Sequence, residues 1–170
     1  MDSESARMSS AAEARFRIDY PNSQPRAVKV IALDNASERV VKRVAQATWE
    51  RATFFTSIKF DGIPRSGEGW SMQAWLGDLA GRTKALVDEV ASADLVVMVS
   101  SAGTSAQAAA VIGEACAARK VMTMALIIGS EQRSNEELSK TLAALRPYAS
   151  MLVIASGDEY IEEMLAALRA

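Results

Sequence analysis

The stretch Leu95-Val96-Val97-Met98-Val99, followed by Ser100-Ser101-Ala102-Gly103-Thr104-Ser105 and then Ala106 to Arg119, joins an uninterrupted apolar run to a hydroxyl-rich corner and a helix-like segment. A continuous apolar run of strand length marks a strand covered on both faces, as in parallel sheets flanked by helices. The same unit recurs toward the C-terminus. Val121 to Ile128 reads as a strand before a helix from Asn135 to Arg146, and Met151 to Ala155 as a strand before a last helix to Leu168. Ser134 and Glu137 have the spacing of a capping box, and Pro147 ends the helix between them and the last strand.

Toward the N-terminus, Ala27 to Leu33 reads as a buried strand. Asn35 or Ser37 then caps a helix in which Val40, Val41, Val44 and Ala47 recur at helical spacing. Phe54 to Phe60 forms a second strand, and Asp61 to Gly69 a loop. Ser71 to Ala93 places Leu79, Leu86, Val87 and Val90 on one helical face. The pattern predicts an α/β fold: a three-layer Rossmann-like sandwich with a mainly parallel sheet of about five strands, residues 27–170 forming a single domain. Residues 1–26 lack clustered apolar surface and read as a flexible tail. Phe16, Ile18 and Tyr20, alternating with Arg17 and Asp19, give a short edge strand as the alternative there.

Composition narrows the chemistry. Of 170 residues, 49% are apolar, and 19 Lys and Arg stand against 21 Asp and Glu for a net charge of -2. Nucleic acid and anionic membranes are bound by clustered cations, which this chain lacks, so neither partner is expected. Histidine is absent and Cys116 is the single cysteine, which excludes Ser-His-Asp and Cys-His catalysis, histidine-ligated metals and intramolecular disulfides. Neither a signal nor a transit pattern opens the chain, and no apolar run reaches membrane-spanning length, so a bacterial-type cytoplasm is the expected compartment.

Right-handed strand-helix-strand crossovers place any ligand crevice at the carboxyl ends of the strands, where strand order reverses. The corner at Ser100, Ser101, Gly103, Thr104 and Ser105, with Asn35 and Ser37 from the first loop, is the candidate ligand or phosphate site. A strand-to-helix corner offers backbone amides and a positive dipole end to an anion. A tight turn that merely caps its helix is the alternative. Trp70 and Trp75 flank the irregular loop region and form a candidate patch for a protein partner or a second copy of the chain, against ordinary packing. Cys116, at helical spacing from Ile112, reads as a core thiol, and no catalytic or metal-ligating residue stands out.

The run from Ala93 through Gly103-Thr104-Ser105 into Ala108 to Ala115 resembles the strand, phosphate loop and helix of the FtsZ/tubulin nucleotide-binding domain. Leu145 to Ile154 and Asp158 are similar to a later helix end, strand and loop of that family, and Val28 to Ile31 with Arg43 to its first strand and helix. The resemblance implies a guanine nucleotide as ligand. Where the family's first loop is a run of glycines, this chain reads Asp34-Asn35-Ala36-Ser37, and of the family's glycine-rich signature only Gly103 and Thr104 remain. Backbone approach to a polyphosphate requires glycine. The expectation is therefore a degenerate FtsZ-like domain, without the family's second domain, that has lost GTP hydrolysis and acts as a binding or protein-interaction module with residual nucleotide binding. Two alternatives remain: a phosphosugar or phosphate-ester domain resembling sugar-isomerase domains, and a receiver-like or flavodoxin-like module.

Overall fold

The computed structural model describes residues 24–57, 75–79, 82–155 and 158–170. Seven strands form one sheet: β1 (Val28–Ala32), β2 (Ala52–Thr56), β3 (Trp75–Asp78), β4 (Thr83–Ala85), β5 (Leu95–Ser101), β6 (Met122–Ile128) and β7 (Met151–Ile154). Their order across the sheet is β4-β3-β2-β1-β5-β6-β7. The strands from β2 through β7 pair in parallel, whereas β3 and β4 add an antiparallel edge beyond β2. The helices are α1 (Asn35–Val44), α2 (Leu86–Ala91), α3 (Ala108–Arg119), α4 (Asn135–Leu145) and α5 (Asp158–Ala167).

Alternation along each strand divides the apolar residues between two faces. Val28, Val30, Val97, Val99, Met124 and Leu126 pack with Val41 and Val44 of α1 and with Ile161 and Leu165 of α5. Ile31, Val96, Met98, Ala125 and Ile127 face the other way, onto Leu86 and Val90 of α2, Ile112 and Cys116 of α3 and Leu145 of α4. This is the Rossmann-like sandwich, and it explains why β5 and β6 read as unbroken apolar runs: both of their faces are covered. Lys29 is the polar exception on the second face. Its ammonium meets Glu89 and the Thr53 hydroxyl, each at 3.0 Å, so the charge is paired where the sheet leaves little water.

Three expectations require correction. The sheet has two strands more than the five expected. The helix expected from Ser71 to Ala93 is, in its described part, the β3–β4 hairpin followed by the short α2; residues 71–74 and 80–81 lie outside the described residues. Gly77 sits within that hairpin, and Leu76 is fully buried against the second core face, so local strand pairing prevails over the helical spacing of Leu79, Leu86 and Val90. The second strand ends at Thr56, and residues 58–60 lie outside the described residues. So do the Asp61 to Gly69 loop and the tail as far as residue 23. At the tail's described end the Arg26 amide donates to the Arg169 carbonyl at 2.8 Å, joining the chain's entry to its last turn. No helix among the described residues is long and apolar enough to cross a membrane.

Gly113 lets α3 approach the turn at Arg146–Tyr148. A Cβ at position 113 would lie 2.5 Å from the Tyr148 Cβ, an atom fixed to its own backbone. Alanine is the better helix former by about 1 kcal/mol, but overpacking of this kind costs about 1–3 kcal/mol. With the clash at 2.5 Å against a backbone-fixed atom, the cost lies toward the upper end of that range, so Gly113→Ala is expected to lower the urea midpoint through a net loss of up to about 2 kcal/mol at unchanged m-value.

Candidate functional site at the strand-order switch

Chain order reverses between β1 and β5, whose following helices, α1 and α3, leave toward opposite faces of the sheet. A crevice outside the carboxyl ends of these two strands is the general ligand position in open α/β sheets. Pairing extends past both strands, since the Leu33 amide donates to the Val99 carbonyl and the Ala102 amide to the Ile128 carbonyl, each at 2.9 Å. Ser100 and Ser101 therefore belong to β5 rather than to a loop, in register with Ile127 and Ile128.

Asp34 occupies the centre of the crevice. Its Oδ1 accepts from the amides of Ala36 (3.1 Å) and Ser37 (2.9 Å), which caps α1. The same carboxylate accepts from the Ser101 amide and the Ser101 hydroxyl, each at 2.8 Å. The Ser100 and Thr104 hydroxyls stand farther away, each 3.4 Å from Oδ2. One side chain thus satisfies the amino end of α1 and binds the β1 loop to the β5 corner. The Ser37 hydroxyl completes the cap in return, in contact with the Asp34 amide (3.1 Å) and carbonyl (2.9 Å).

The corner is braced from the other side by Thr141 of α4. Its fully buried hydroxyl accepts from the Gly103 amide at 2.9 Å and donates to the Thr104 carbonyl at 3.1 Å. Thr104 closes the turn through its own hydroxyl, which meets the Ser101 carbonyl and the Ser100 hydroxyl, each at 2.8 Å. Gly103 has φ +88 and Ala106 φ 45, so the chain turns through the left-handed region twice before α3 begins. The positive φ at Gly103 is the conformation for which glycine is suited.

Glu137 flanks Gly103. Its Oε1 would lie 3.4 Å from a Cβ at position 103, and its carboxyl is held below the usual carboxylate range, first by the Ser134 backbone amide, then by the Ser134 hydroxyl and Arg133 against an opposing desolvation. A lowered folded-state pKa means that this carboxylate stabilises the fold above its ordinary titration range and ceases to do so as pH falls through the lowered value. This is the capping box read from Ser134 and Glu137, now observed in both directions.

Of the candidate site residues, Ser100 and Ser37 are buried and Ser101 and Thr104 half-buried, all four bonded within the clasp; Gly103, Ser105 and Asn35 are exposed. Trp70 lies outside the described residues, and of Trp75 only the backbone, at the start of β3, is described. Sequence reasoning missed Asp34 as the organising group and Thr141 as the brace. The Asp34 to Ser37 spacing is itself a capping signal. Cys116 is buried in the second core face, which pushes its thiol up to about 11 and leaves it protonated at neutral pH.

The helices that begin at the crevice differ at their amino ends. α1 is capped by Asp34 and α4 by Ser134, whereas α3, entered from Gln107, has no side-chain cap and no acid in its first turn. Ser105 and Gln107 are exposed, and their backbone amides meet no acceptor among the described residues.

No family model matches this sequence, and no curated protein matches it either. Solved structures do. One is translation elongation factor SelB from Methanococcus maripaludis in complex with the GTP analogue GppNHp, with a TM-score of 0.50 and 10% sequence identity over 88% of this chain and 34% of that one. The likeness is one of fold. This chain spans about a third of the length of that structure. The FtsZ/tubulin resemblance is corrected by these findings: no family model supports it, and the structural match reported is to an elongation factor. The stretches that carried the resemblance, β5 with α3 and β7 with its preceding helix, are elements that any Rossmann-like sandwich repeats.

Proposed function

We propose that this domain binds a small phosphate-bearing ligand at the corner between β5 and α3 and does not hydrolyse it. The observation that carries the reading is the uncapped amino end of α3 at the strand-order switch, beside two helices whose amino ends are closed by their own side chains. Unsatisfied amides and the positive end of a helix of this length form an anion seat. The SelB structure holds a GTP analogue on a similar fold, which supports a guanine nucleotide as the ligand; a sugar phosphate is the other candidate, favoured by the hydroxyls of the corner. The reading without hydrolysis is supported by Asp34, the carboxylate at the crevice, whose oxygens are engaged by Ala36, Ser37 and Ser101.

A second reading, a protein-interaction module without a small ligand, is favoured by the same clasp, because Asp34 draws the two crevice loops together. Calorimetric titration with inorganic phosphate, GMP, GDP, GTP and a hexose phosphate separates the two. Saturable heat from at least one of them, with phosphate release from GTP at background, is the expected result. No heat from any ligand leaves the protein-interaction module. Turnover that disappears in Asp34→Asn shows a hydrolase instead.

A further inference from the structure

The amino ends of β6 and β7, at the opposite end of the sheet from the crevice, carry the most exposed large apolar side chains among the described residues, Met122 at 58% and Met151 at 55%. Met151 is in register with Met124, a core residue of the sheet face that packs on α1 and α5, and Met122 precedes Met124 by two on the same strand. Strand alternation therefore sets both methionines on that face, one diagonal step apart. α5 covers the middle of the face through Ile161 and Leu165 and leaves these two open. Two adjacent bare methionines beside a covered core are a surface that has a use for a partner.

The chain enters the domain close by. Val28 is in register with Leu95 and Leu95 with Met122, so Met122 lies two strands from β1, about 10 Å away at the same level. Arg26, whose amide is held by the Arg169 carbonyl just past the end of α5, is about 12 Å from Met122 on the same spacings. The stretch from Tyr20 to Arg26 spans up to about 20 Å, and Pro21 and Pro25 oppose a helix in it. Residues 16–20 thus have the reach to cross both methionines. Phe16, Ile18 and Tyr20 alternate with Arg17 and Asp19, which gives that segment, when extended, one apolar face. Charge fits as well: Glu162 and Glu163 are exposed on α5 with no cation paired to them among the described residues, and the segment brings Arg15 and Arg17. A second copy seated by the same patch would bring its own Glu162 and Glu163 to the corner instead, like charge against like.

We propose that residues 16–20 of this chain dock over Met122 and Met151, with Phe16, Ile18 and Tyr20 on the methionines, and close the sheet face at the amino ends of β6 and β7. The docking is separate from the corner between β5 and α3, which lies at the other end of the strands.

The test is limited trypsin cleavage of the full chain at low protein concentration, read by mass. Cleavage after Arg15 and Arg17 reports the segment, and cleavage after Arg7 is the reference in the same molecule. When cleavage is slow relative to opening, its rate follows the undocked population. Replacing both exposed methionines, Met122→Ser with Met151→Ser, should speed cleavage after Arg15 and Arg17 at least about tenfold, the scale of losing two buried side chains, and change that after Arg7 less than about twofold. Tyr20→Ser, which leaves residues 24–170 untouched, should speed the same two cleavages by at least about threefold. Unchanged rates at Arg15 and Arg17 in either variant overturn the docking. Protection that grows with protein concentration, alongside a dimer in sedimentation, assigns the patch to a second copy and overturns it equally.

Discussion

Replacing Asp34 with alanine is expected to destabilise the domain by about 3 kcal/mol, combining the loss of an N-cap, typically about 1 kcal/mol, with that of charge-assisted bonds worth about 1.5–3 kcal/mol. The carboxylate accepts from Ala36 and Ser37 at the start of α1 and from Ser101 at the end of β5. Its removal leaves those donors facing a gap between two loops. For a chain of this size, such a loss corresponds to a thermal midpoint lowered by about 6–12 °C. Asp34→Asn should recover about the N-cap's share, because the amide oxygen still accepts from Ala36, Ser37 and the Ser101 hydroxyl, whereas the Ser101 amide loses its acceptor to the asparagine NH2. Differential scanning calorimetry of the two variants checks both statements. An alanine variant within about 1 kcal/mol of wild type would show that water replaces the carboxylate without loss, and that the clasp is incidental to the fold.

How much of this arrangement was legible in the sequence depended on the range of the interaction. β5, α3, β6 and α4 were read nearly at their observed bounds, because continuous apolar runs and the Ser134–Glu137 box are local signals. The β3–β4 hairpin was not legible: its strands are four and three residues long, shorter than the window over which a period of two can be told from 3.6. Leu86 and Val90 do lie on the buried face of α2, so the helical spacing was sound there, but it was extended backwards across the hairpin to Leu79, which is exposed. Asp34 shows the same limit at the site. Its cap on Ser37 is three residues away in sequence, whereas its bond to Ser101 spans 67. Nothing local distinguishes an aspartate that caps one helix from one that also clasps a distant strand. The position of the crevice was legible nonetheless, because it follows from topology: a chain that returns to pair β5 beside β1 must open its switch point there.

Gly103→Val is expected to abolish binding of a phosphate-bearing ligand, with a loss of about 3 kcal/mol or more than about a hundredfold in affinity, equivalent to two charge-assisted hydrogen bonds. The mechanism differs from the one that glycine suggests at first sight. The Gly103 amide is not a ligand donor, since it is bonded to the Thr141 hydroxyl. In the proposed site the residue matters because φ +88 sets the path of the chain into Ser105 and Gln107, which are exposed just before α3. A β-branched residue is strained at that angle by about 1–3 kcal/mol, and its Cβ would also press toward the Glu137 carboxylate, 3.4 Å away. The corner relaxes by rotating the Ser105 and Gln107 amides out of line, so affinity falls even though none of the lost donors belongs to residue 103. A Ser105→Ala control removes an exposed hydroxyl while keeping the backbone, and should cost at most about tenfold, the worth of one neutral hydrogen bond. Titration of both variants with whichever phosphate ligand binds the wild-type chain, beside their urea midpoints, distinguishes the outcomes. Lowered stability with wild-type affinity in Gly103→Val would remove the corner from the binding account and leave the glycine as a requirement of the turn alone.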